Sequence, residues 1–398
     1  MAKLAILGGS PVREKYLSYG RQYIDDLDLE AVASVLKSDF LTCGPKIPEL
    51  ESALCAIGGT KYAVAVANGT AALHCACIAA GIGPGDEVIV SPITFAASAN
   101  CVLYCGGTPV FADIDPTTWE ISPADIERKI TPKTKAVIAV DYTGQSCDYT
   151  SIKKICREHN LLLIEDAAHA IGTKYNGEPV GSIADMTTYS FHPVKTVTAG
   201  EGGAILTNSG ELARKLELAA KHGITHDKSL LSKNTDCRWY YEEISLGYNY
   251  RITDIQSALL ISQLKKLDRF AARRREITNI YHKAFESIPE IILQKETLGS
   301  ETVRHIYVIR LNTRMLKAGR NEVFAALQAE NIGVNVHYIP VYTFPHYQKL
   351  GYAEGLCPQA EALYDGIVTL PLFYAMTDRD VQDVIDAVNK VLDYYRLD

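Results

Sequence analysis

The 398-residue chain lacks the features that mark several broad classes of protein. It has no block of like charges, and its net charge of −7 argues against nucleic-acid binding. No hydrophobic run approaches the ~20 residues of a membrane span, and the apolar run near the N-terminus is shorter than a signal peptide requires. We therefore expect a cytoplasmic protein that binds neither membranes nor nucleic acids.

Zinc-type cysteine spacing is also missing, although the chain contains ten cysteines. Cys75, Cys77, Cys101 and Cys105 fall in apolar helical stretches, where cysteine behaves as a small hydrophobic residue. No internal repeat or low-complexity segment is visible. The sequence therefore predicts no metal site, and its length predicts two or three lobes.

Short apolar runs alternate with helical segments between residues 62 and 207. Such alternation, with nearly continuous apolar strands, indicates an α/β fold with a mostly parallel sheet covered on both faces. The expected strands are 62–66, 86–90, 108–114, 135–140 and 161–165, with weaker candidates at 186–191 and 203–207. The expected helices between them are 71–80, 95–104, 123–129 and 151–159.

The remainder of the chain has a different texture. A polar and aromatic stretch over 224–248 predicts a long ordered loop. Further elements are expected as a helix over 253–285 opened by a Thr253–Gln256 capping box, a strand at 304–311, a helix at 320–329, a strand at 333–338 and a helix from Asp378. We predict a large domain over 1–250, including an N-terminal arm, and linking helices with a small α+β domain over 251–398.

The stretch "ANGTAALH" passes from a strand through a turn into a helix. A helix start presents unpaired N–H groups and the positive end of the helix dipole, which suits a phosphate. Gly69 allows a close approach of the backbone, and the Thr70 hydroxyl can donate a hydrogen bond. An ordinary capped helix would have the same appearance.

Asp166 follows a buried strand in "LLLIEDAAHA", at the carboxyl end where open α/β sheets bind ligands. His169 stands three residues later, on the same side of a helical turn. The carboxylate needs a partner, which a cationic ring nitrogen, a backbone cap or a metal would each provide.

A single lysine, Lys195, lies in "SFHPVKTVTAGEGGA" beside Phe191, Pro193 and Val194. Lone lysines usually lie at the surface, but burial in an apolar pocket would lower the pKa of this amine and favour its reactive neutral form. A phosphate-type turn, a strand-end aspartate and this lysine together match the needs of pyridoxal phosphate (PLP).

Nearly the whole chain resembles the DegT/DnrJ/StrS family of PLP-dependent nucleotide-sugar aminotransferases, which have the fold type I architecture. The matching pieces, in the family order, are "NGTAALH", "PITFAASAN", "EDAAHAIG", "SFHPVKTVTAGEGGAI", "GYNYRITDIQSALLISQL" and "VHYIPVY". The lysine region is most similar to the branch that aminates C4 of a UDP-linked 4-keto-6-deoxy-N-acetylhexosamine in pseudaminic acid biosynthesis. The resemblance implies L-glutamate as amino donor and a homodimer with shared active sites.

The resemblance also implies residue roles. Lys195 would bind the cofactor aldehyde covalently and move protons during catalysis, and Asp166 would face the ring nitrogen. The other implied cofactor contacts are Gly69, Thr70, Phe95, His169, Ser190 and, reaching into the neighbouring subunit, Asn249. The implied substrate contacts are Tyr19, Asp39, Phe40, Leu41, Thr42, His337, Tyr338, Ile339 and Pro340.

Alternative interpretations stay open at this stage. Phe95 alone would fit a core position, Ser190 a strand end, and Asn249 a helix cap, while His192 would contact substrate or only its own turn. The substrate alternatives are other 4-keto sugar nucleotides, of the 4-keto-arabinose or perosamine type. A sugar dehydratase is disfavoured because relatives with that activity replace the lysine, and a non-catalytic regulator because Lys195 and Asp166 are both present.

Overall fold

The structure, a computed structural model, describes residues 3–233 and 237–397. The strands in this part of the chain, numbered in order, are β1 (Tyr62–Val66), β2 (Glu87–Val90), β3 (Thr108–Phe111), β4 (Thr134–Val140), β5 (Leu162–Asp166), β6 (Lys174–Tyr175), β7 (Glu178–Pro179), β8 (Met186–Ser190), β9 (Gly203–Thr207), β10 (Ile224–Thr225), β11 (Glu242–Glu243), β12 (Ile291–Leu293), β13 (Ser300–Glu301), β14 (Tyr307–Leu311) and β15 (Ile367–Leu370). The α-helices are α1 (Asp26–Leu36), α2 (Lys46–Gly58), α3 (Gly69–Ala79), α4 (Ala97–Tyr104), α5 (Pro123–Lys129), α6 (Tyr149–Glu158), α7 (Gly210–Ala220), α8 (Asp254–Leu264), α9 (Leu267–Phe285), α10 (Arg320–Ala329), α11 (Pro345–Lys349), α12 (Pro358–Tyr364) and α13 (Asp378–Tyr395).

A seven-stranded sheet forms the centre of the molecule, in the order β1-β9-β8-β5-β4-β2-β3. All neighbours pair in parallel except β9, which is antiparallel to both β1 and β8. The mostly parallel sheet expected from the sequence is therefore confirmed, and all seven of its strands overlap the predicted runs. The carboxyl ends of β4, β5 and β8 lie side by side, where ligands of open α/β sheets bind.

Side chains of the central strands alternate between two cores. Along β4, Ala136, Ile138 and Val140 belong to one hydrophobic cluster, whereas Val137 and Ala139 belong to the other. Successive residues of a strand point to opposite faces, so a strand with a core on each face must be apolar throughout. Both faces of the sheet are thus covered, as the unbroken apolar runs predicted.

A second, antiparallel sheet of β12, β14 and β15 packs with α9, α10 and α13 around a third core. Leu4 and Leu17 of the N-terminal segment belong to this same core. The buried Glu330 carboxylate accepts hydrogen bonds from the backbone N–H groups of Ala5 and Val12, both at 2.9 Å. The N-terminal segment therefore packs on C-terminal elements, while the predicted domain boundary at residue 250 stays a prediction.

The helix expected over 253–285 is instead two helices, α8 and α9, separated at Lys265 and Lys266. The Lys266 side chain is only 7% exposed and forms ion pairs with Asp25 and Asp28 at the start of α1. The break therefore coincides with a tertiary pairing, at a point where the sequence contains no glycine or proline. The capping box of Thr253 and Gln256 is confirmed.

The strand expected at 333–338 is wrong. Asn335 forms an isolated bridge to Thr369 of β15, and the Gly333 N–H donates to the Leu17 carbonyl at 2.7 Å. The segment is therefore shared between two neighbours and pairs regularly with neither. The expected loop over 224–248 contains a small hairpin of β10 and β11, and residues 234–236 of it lie outside the described residues.

Among the helices of the described residues, none combines the length and the apolar character needed to cross a bilayer.

Candidate active site

A cavity of about 530 Å³ opens at the carboxyl edge of the central sheet. It brings together most of the residues that the sequence singled out, although they are far apart along the chain. The predicted residues that line it are Tyr19, Gly69, Thr70, Phe95, Asp166, His169, Ser190, Lys195, His337 and Tyr338. His192, whose role the sequence left open, lines it too.

One end of the cavity is the start of α3. Asn68 caps this helix, its side-chain Oδ1 accepting the Ala71 N–H at 2.8 Å. The Cα of Gly69 lies so near Ser190 that an added Cβ would come within 2.8 Å of the Ser190 Cβ. A larger residue at position 69 would therefore separate the helix start from the Ser190 hydroxyl. With its unpaired N–H groups and two hydroxyls, this end is suited to a phosphate.

Asp166 ends β5 and is 4% exposed. The Ser98 hydroxyl donates to its Oδ2 at 2.6 Å, and the Ala168 N–H donates to its Oδ1 at 3.2 Å. Burial raises the pKa of Asp166, while the Ser98 hydrogen bond and the charge of Lys195 act in the opposite direction. Both oxygens are thus oriented by donors, as required of a carboxylate that faces a cationic ring nitrogen.

Lys195 lies in the turn after β8, between the fully buried Phe191 and Val197. Its backbone N–H donates to the His192 carbonyl at 2.9 Å, which closes the turn. Burial lowers the pKa of Lys195 to about 8, although the negative charge of Asp166 works against this shift. The amine is therefore neutral in a useful fraction of molecules near neutral pH.

The opposite wall contains His169, Tyr338 and His337. Tyr338 Oη lies 3.0 Å from His169 Nε2, and His337 Nδ1 lies 2.9 Å from the Thr369 hydroxyl. Burial and the nearby Lys195 charge lower the pKa of His169 well below its usual range and that of His337 to about 4. Both imidazoles are therefore neutral at physiological pH. The ring centroid of Tyr19 lies 5.4 Å from that of His337.

Several cavity residues escaped sequence reasoning. His305 is 5% exposed, lines the cavity and has its ring centroid 4.7 Å from that of His169. No motif around His305 predicts this contact, because the two histidines are far apart in the sequence and the fold alone brings them together. Thr94 and Ser98 could have been predicted from the stretch "PITFAASAN", because Thr94 precedes Phe95 directly and Ser98 follows it by about one helical turn.

Seven predicted residues lie outside the lining of this chain's cavity, namely Asp39, Phe40, Leu41, Thr42, Asn249, Ile339 and Pro340. Phe40 is 52% exposed and Leu41 48% exposed. Asn249 is also exposed, and its backbone pairs with that of Lys221 beside α7. Within one chain residues 39–42, Asn249 and Ile339 are exposed, whereas Pro340 is buried outside the cavity.

Residues 22–389 match the DegT/DnrJ/EryC1/StrS aminotransferase family. The chain belongs to this family. A curated relative, the spore coat polysaccharide biosynthesis protein SpsC of Bacillus subtilis, is 42% identical over 383 residues, covering 96% of this chain and 98% of that protein.

Solved structures agree with this membership. Spr1654 of Streptococcus pneumoniae in its PMP form superposes with a TM-score of 0.89 at 31% identity, covering 95% of this chain and 99% of the other. Helicobacter pylori PseC, an aminotransferase involved in the biosynthesis of pseudoaminic acid, superposes with a TM-score of 0.88 at 32% identity, covering 96% and 100%. The fold type I architecture is thereby confirmed, and the chain is a PLP-dependent sugar aminotransferase.

The residues of the cavity fit this cofactor. A helix start with Gly69 and Ser190 in contact provides the donors that a phosphate needs, the oriented Asp166 faces the same space, and Lys195 provides an amine of lowered pKa. These three groups come from separate elements and converge on one cavity without any rearrangement of the fold.

Proposed function

We propose that this aminotransferase moves an amino group from L-glutamate to C4 of a UDP-linked 4-keto-6-deoxy-N-acetylhexosamine, as part of pseudaminic acid formation. The observation that carries the choice of sugar is the likeness to PseC over 96% of the chain, together with the lysine motif "SFHPVKTVTAGEGGA". The described cavity supports an acid–base lysine for such a transfer, because Lys195 combines burial with a pKa of about 8.

When bound, pyridoxal phosphate supplies an aldehyde that carries the amino group and a ring that withdraws electrons from the reacting carbon. Lys195 Nζ would move a proton from the donor carbon to the carbon of the former aldehyde in the first half-reaction. It would move a proton from that carbon to C4 of the sugar in the second, which its lowered pKa permits. The Asp166 carboxylate, fixed by Ser98 and Ala168, holds a proton on the ring nitrogen by opposing its loss.

The same proposal gives roles to the other cavity residues. Gly69, Thr70 and Ser190 hold the phosphate at the start of α3, and Phe95 and His169 border the ring. Phe95 is 64% exposed, with its centroid 6.5 Å from that of Tyr338, so its face is available at the cavity wall.

We also propose that two copies of the chain form a homodimer with shared sites. Asn249 then reaches the phosphate of the neighbouring subunit, since it is exposed and lies outside its own cavity. The exposed Phe40 and Leu41, with Asp39 and Thr42, line the sugar-nucleotide pocket together with Tyr19 and the 337–340 segment. Exposed apolar residues on one surface are typical of an interface or a ligand groove.

The first test is spectroscopic and needs no sugar. The holoenzyme is mixed with L-glutamate, and the visible absorbance of the bound cofactor is followed; we expect it to fall as the amino group is transferred to the cofactor. Lys195→Ala is the control and should show no such change. An unchanged spectrum in the wild type would contradict the amino-donor assignment.

The second test identifies the sugar. The enzyme, L-glutamate and the UDP-linked 4-keto-6-deoxy-N-acetylhexosamine are incubated, and the product is analysed by mass spectrometry and by NMR at C4. An amine at C4 is expected. If this sugar is untouched while a 4-keto-arabinose or perosamine-type nucleotide is aminated, the substrate assignment is wrong. The 42% identity to SpsC, a protein of spore coat polysaccharide biosynthesis, is the observation that keeps another 4-keto sugar nucleotide as second candidate.

A further inference from the structure

Three side chains form a continuous hydrogen-bonded row beneath the cavity. The hydroxyls of Thr94 and Ser98 lie 2.7 Å apart, and Ser98 Oγ lies 2.6 Å from Asp166 Oδ2. Thr94 is 3% exposed, Ser98 1% and Asp166 4%, so bulk water cannot replace these bonds. All three residues also line the cavity.

The direction of the protons in this row follows from valence. An ionised carboxylate accepts only, and Asp166 Oδ2 lies nearer to Ser98 Oγ, at 2.6 Å, than the Phe95 carbonyl oxygen, at 3.3 Å, so the single Ser98 hydroxyl proton is directed to Asp166. The Ser98 oxygen then accepts the proton of Thr94, and each bond polarises the next. A hydrogen bond to an ionised group is shorter and stronger than one between neutral groups, which agrees with the 2.6 Å separation.

The row belongs to the turn that opens α4 and also carries Phe95. The Ser98 N–H donates to the Phe95 carbonyl at 3.1 Å, so the backbone of one turn fixes both residues. This turn therefore places Phe95 at the cavity wall and, through Ser98, holds the carboxylate at the end of β5. Two contacts that the cofactor ring would make depend on the same short segment.

We propose that Thr94 and Ser98 are positioning residues that keep Asp166 ionised and aimed into the cavity, and so set how tightly the pyridinium ring is held. This inference rests on the proposed role of Asp166 toward the ring nitrogen. It does not depend on which sugar or amino donor the enzyme uses, because the quantity that it predicts is the affinity for the cofactor.

The groups around Asp166 shift its pKa in opposite directions. Burial raises the pKa of Asp166, and the charge of Lys195 and the Ser98 hydrogen bond counter that effect. Tyr338 interacts with Asp166, and His169 lies beside Tyr338; both are held neutral because burial raises the pKa of the phenol and lowers that of the imidazole. Asp166 has two neutral donors, the Ser98 hydroxyl and the Ala168 N–H, and Ser98 is the one that a side-chain substitution removes, which would let the pKa of Asp166 rise.

The experiment compares holoenzymes of wild type, Ser98→Ala, Ser98→Thr and Thr94→Val. The dissociation constant of PLP is measured by equilibrium dialysis, and the absorbance of the bound cofactor is titrated from acid to alkaline pH. For Ser98→Ala we expect binding to weaken about tenfold, the effect of losing one hydrogen bond to a charged group. We also expect its acid transition to move to higher pH, since a carboxylate with a raised pKa is protonated earlier on acidification.

The other two variants separate the hydroxyl from its surroundings. Ser98→Thr keeps the donor and should restore both affinity and titration to near the wild-type values. Thr94→Val keeps the shape but removes the proton that polarises Ser98, so we expect a smaller loss in the same direction. Ser146→Ala is the matched control, because Ser146 is fully buried and its hydroxyl lacks a hydrogen-bond partner in the described part of the chain.

The inference is overturned if Ser98→Ala binds PLP and titrates like the wild type, or if Ser98→Thr is as impaired as Ser98→Ala. Should Ser98→Ala not fold, Thr94→Val decides: an unshifted acid transition there counts against the row, and a shifted one supports it. Failure of the sugar assignment would leave all these measurements unchanged, so the two proposals fail separately.

Discussion

The cavity floor and the exposed segments around Phe40 and Asn249 represent two kinds of site within one chain. On the floor, Asp166 is buried and accepts a 2.6 Å hydrogen bond from Ser98, and Lys195 is half-buried with a lowered pKa. In the exposed segments, Phe40 is 52% exposed and Leu41 48% exposed, and the cavity does not include them.

Under the proposed function, the acid–base lysine and the carboxylate that faces the ring nitrogen lie inside a single subunit, whereas Asn249 and residues 39–42 act from exposed segments. Fixed dipoles and lowered pKa values need a water-poor environment, which only the interior of the fold provides. A large and polar substrate such as the proposed sugar nucleotide needs an open approach. Variants on the floor should therefore impair chemistry, and variants in the exposed segments should impair binding or assembly.

The largest effect is expected on the floor. Lys195→Ala should lower kcat for transamination by roughly a thousandfold, because it removes the acid–base group. The measurement is steady-state turnover, with thermal unfolding to confirm folding. Lys215→Ala is the control: this exposed lysine pairs with Glu211 on α7, and turnover should be unaffected. If Lys195→Ala retained most of its turnover, the cavity floor would not carry the chemistry, and its contrast with the exposed segments would be wrong.

A pH effect comes next in size. In enzyme freed of cofactor, the rate at which an amine-specific reagent labels Lys195 should reach half its maximum at about pH 8. Below that pH the neutral fraction, and the rate, fall about tenfold per pH unit. Labelling is read by peptide mass spectrometry. Half-maximal labelling near pH 10.5, the value of an ordinary lysine, would show that the floor does not desolvate the amine.

A mixing experiment tests whether Asn249 serves the neighbouring subunit. Asn249→Ala and Lys195→Ala proteins, each impaired alone, are unfolded, mixed in equal amounts and refolded together. Recovery to about a quarter of wild-type activity is expected, since half of the dimers are hybrids and each hybrid has one intact site of two. Recovery absent from verified hybrids would place Asn249 in its own subunit's site or in none.

The smallest effect is expected at the surface. Phe40→Ala should raise KM for the sugar nucleotide roughly threefold with little change in kcat, as expected when binding alone is weakened. Leu298→Ala provides the control, because Leu298 is 94% exposed and lies outside the cavity. An unchanged KM, or a loss confined to kcat, would argue against a place for residues 39–42 in the sugar pocket.

Sequence reasoning succeeded where local pattern determines structure. The strands of the central sheet, the helices at 123–129 and 320–329 and the helix from Asp378 follow from apolar periodicity and capping, which act over a few residues. It failed where contacts with residues far away in the sequence determine the local backbone structure. The break at Lys266 coincides with its ion pairs to the distant Asp25 and Asp28, and the irregular 333–338 segment lies between Leu17 and Thr369.

The site residues also fall into those that local sequence pattern predicts and those that only the fold reveals. Gly69 and Asp166 were recognisable because they follow or end an apolar strand, and Lys195 because it stands alone among apolar neighbours. All three line one cavity. His305 could not be found, since only the pairing of elements far apart in the chain brings it to His169. Ser98 was visible in a motif, but its hydrogen bond to Asp166 could not be predicted without knowing where the start of α4 lies relative to the end of β5.

The anchoring of the N-terminal segment at Glu330 also sets an order in time. Ala5 and its partner carboxylate are separated by 325 residues, and the Tyr19 carbonyl accepts a hydrogen bond from the N–H of Leu372. At the ~5–20 residues per second of ribosomal synthesis, the first residues wait roughly 15 to 65 seconds for Glu330 to be made. The segment that brings Tyr19 to the cavity is thus among the first parts synthesised and among the last that can be placed. Until then a nascent chain can form the central sheet but not the complete wall of its site.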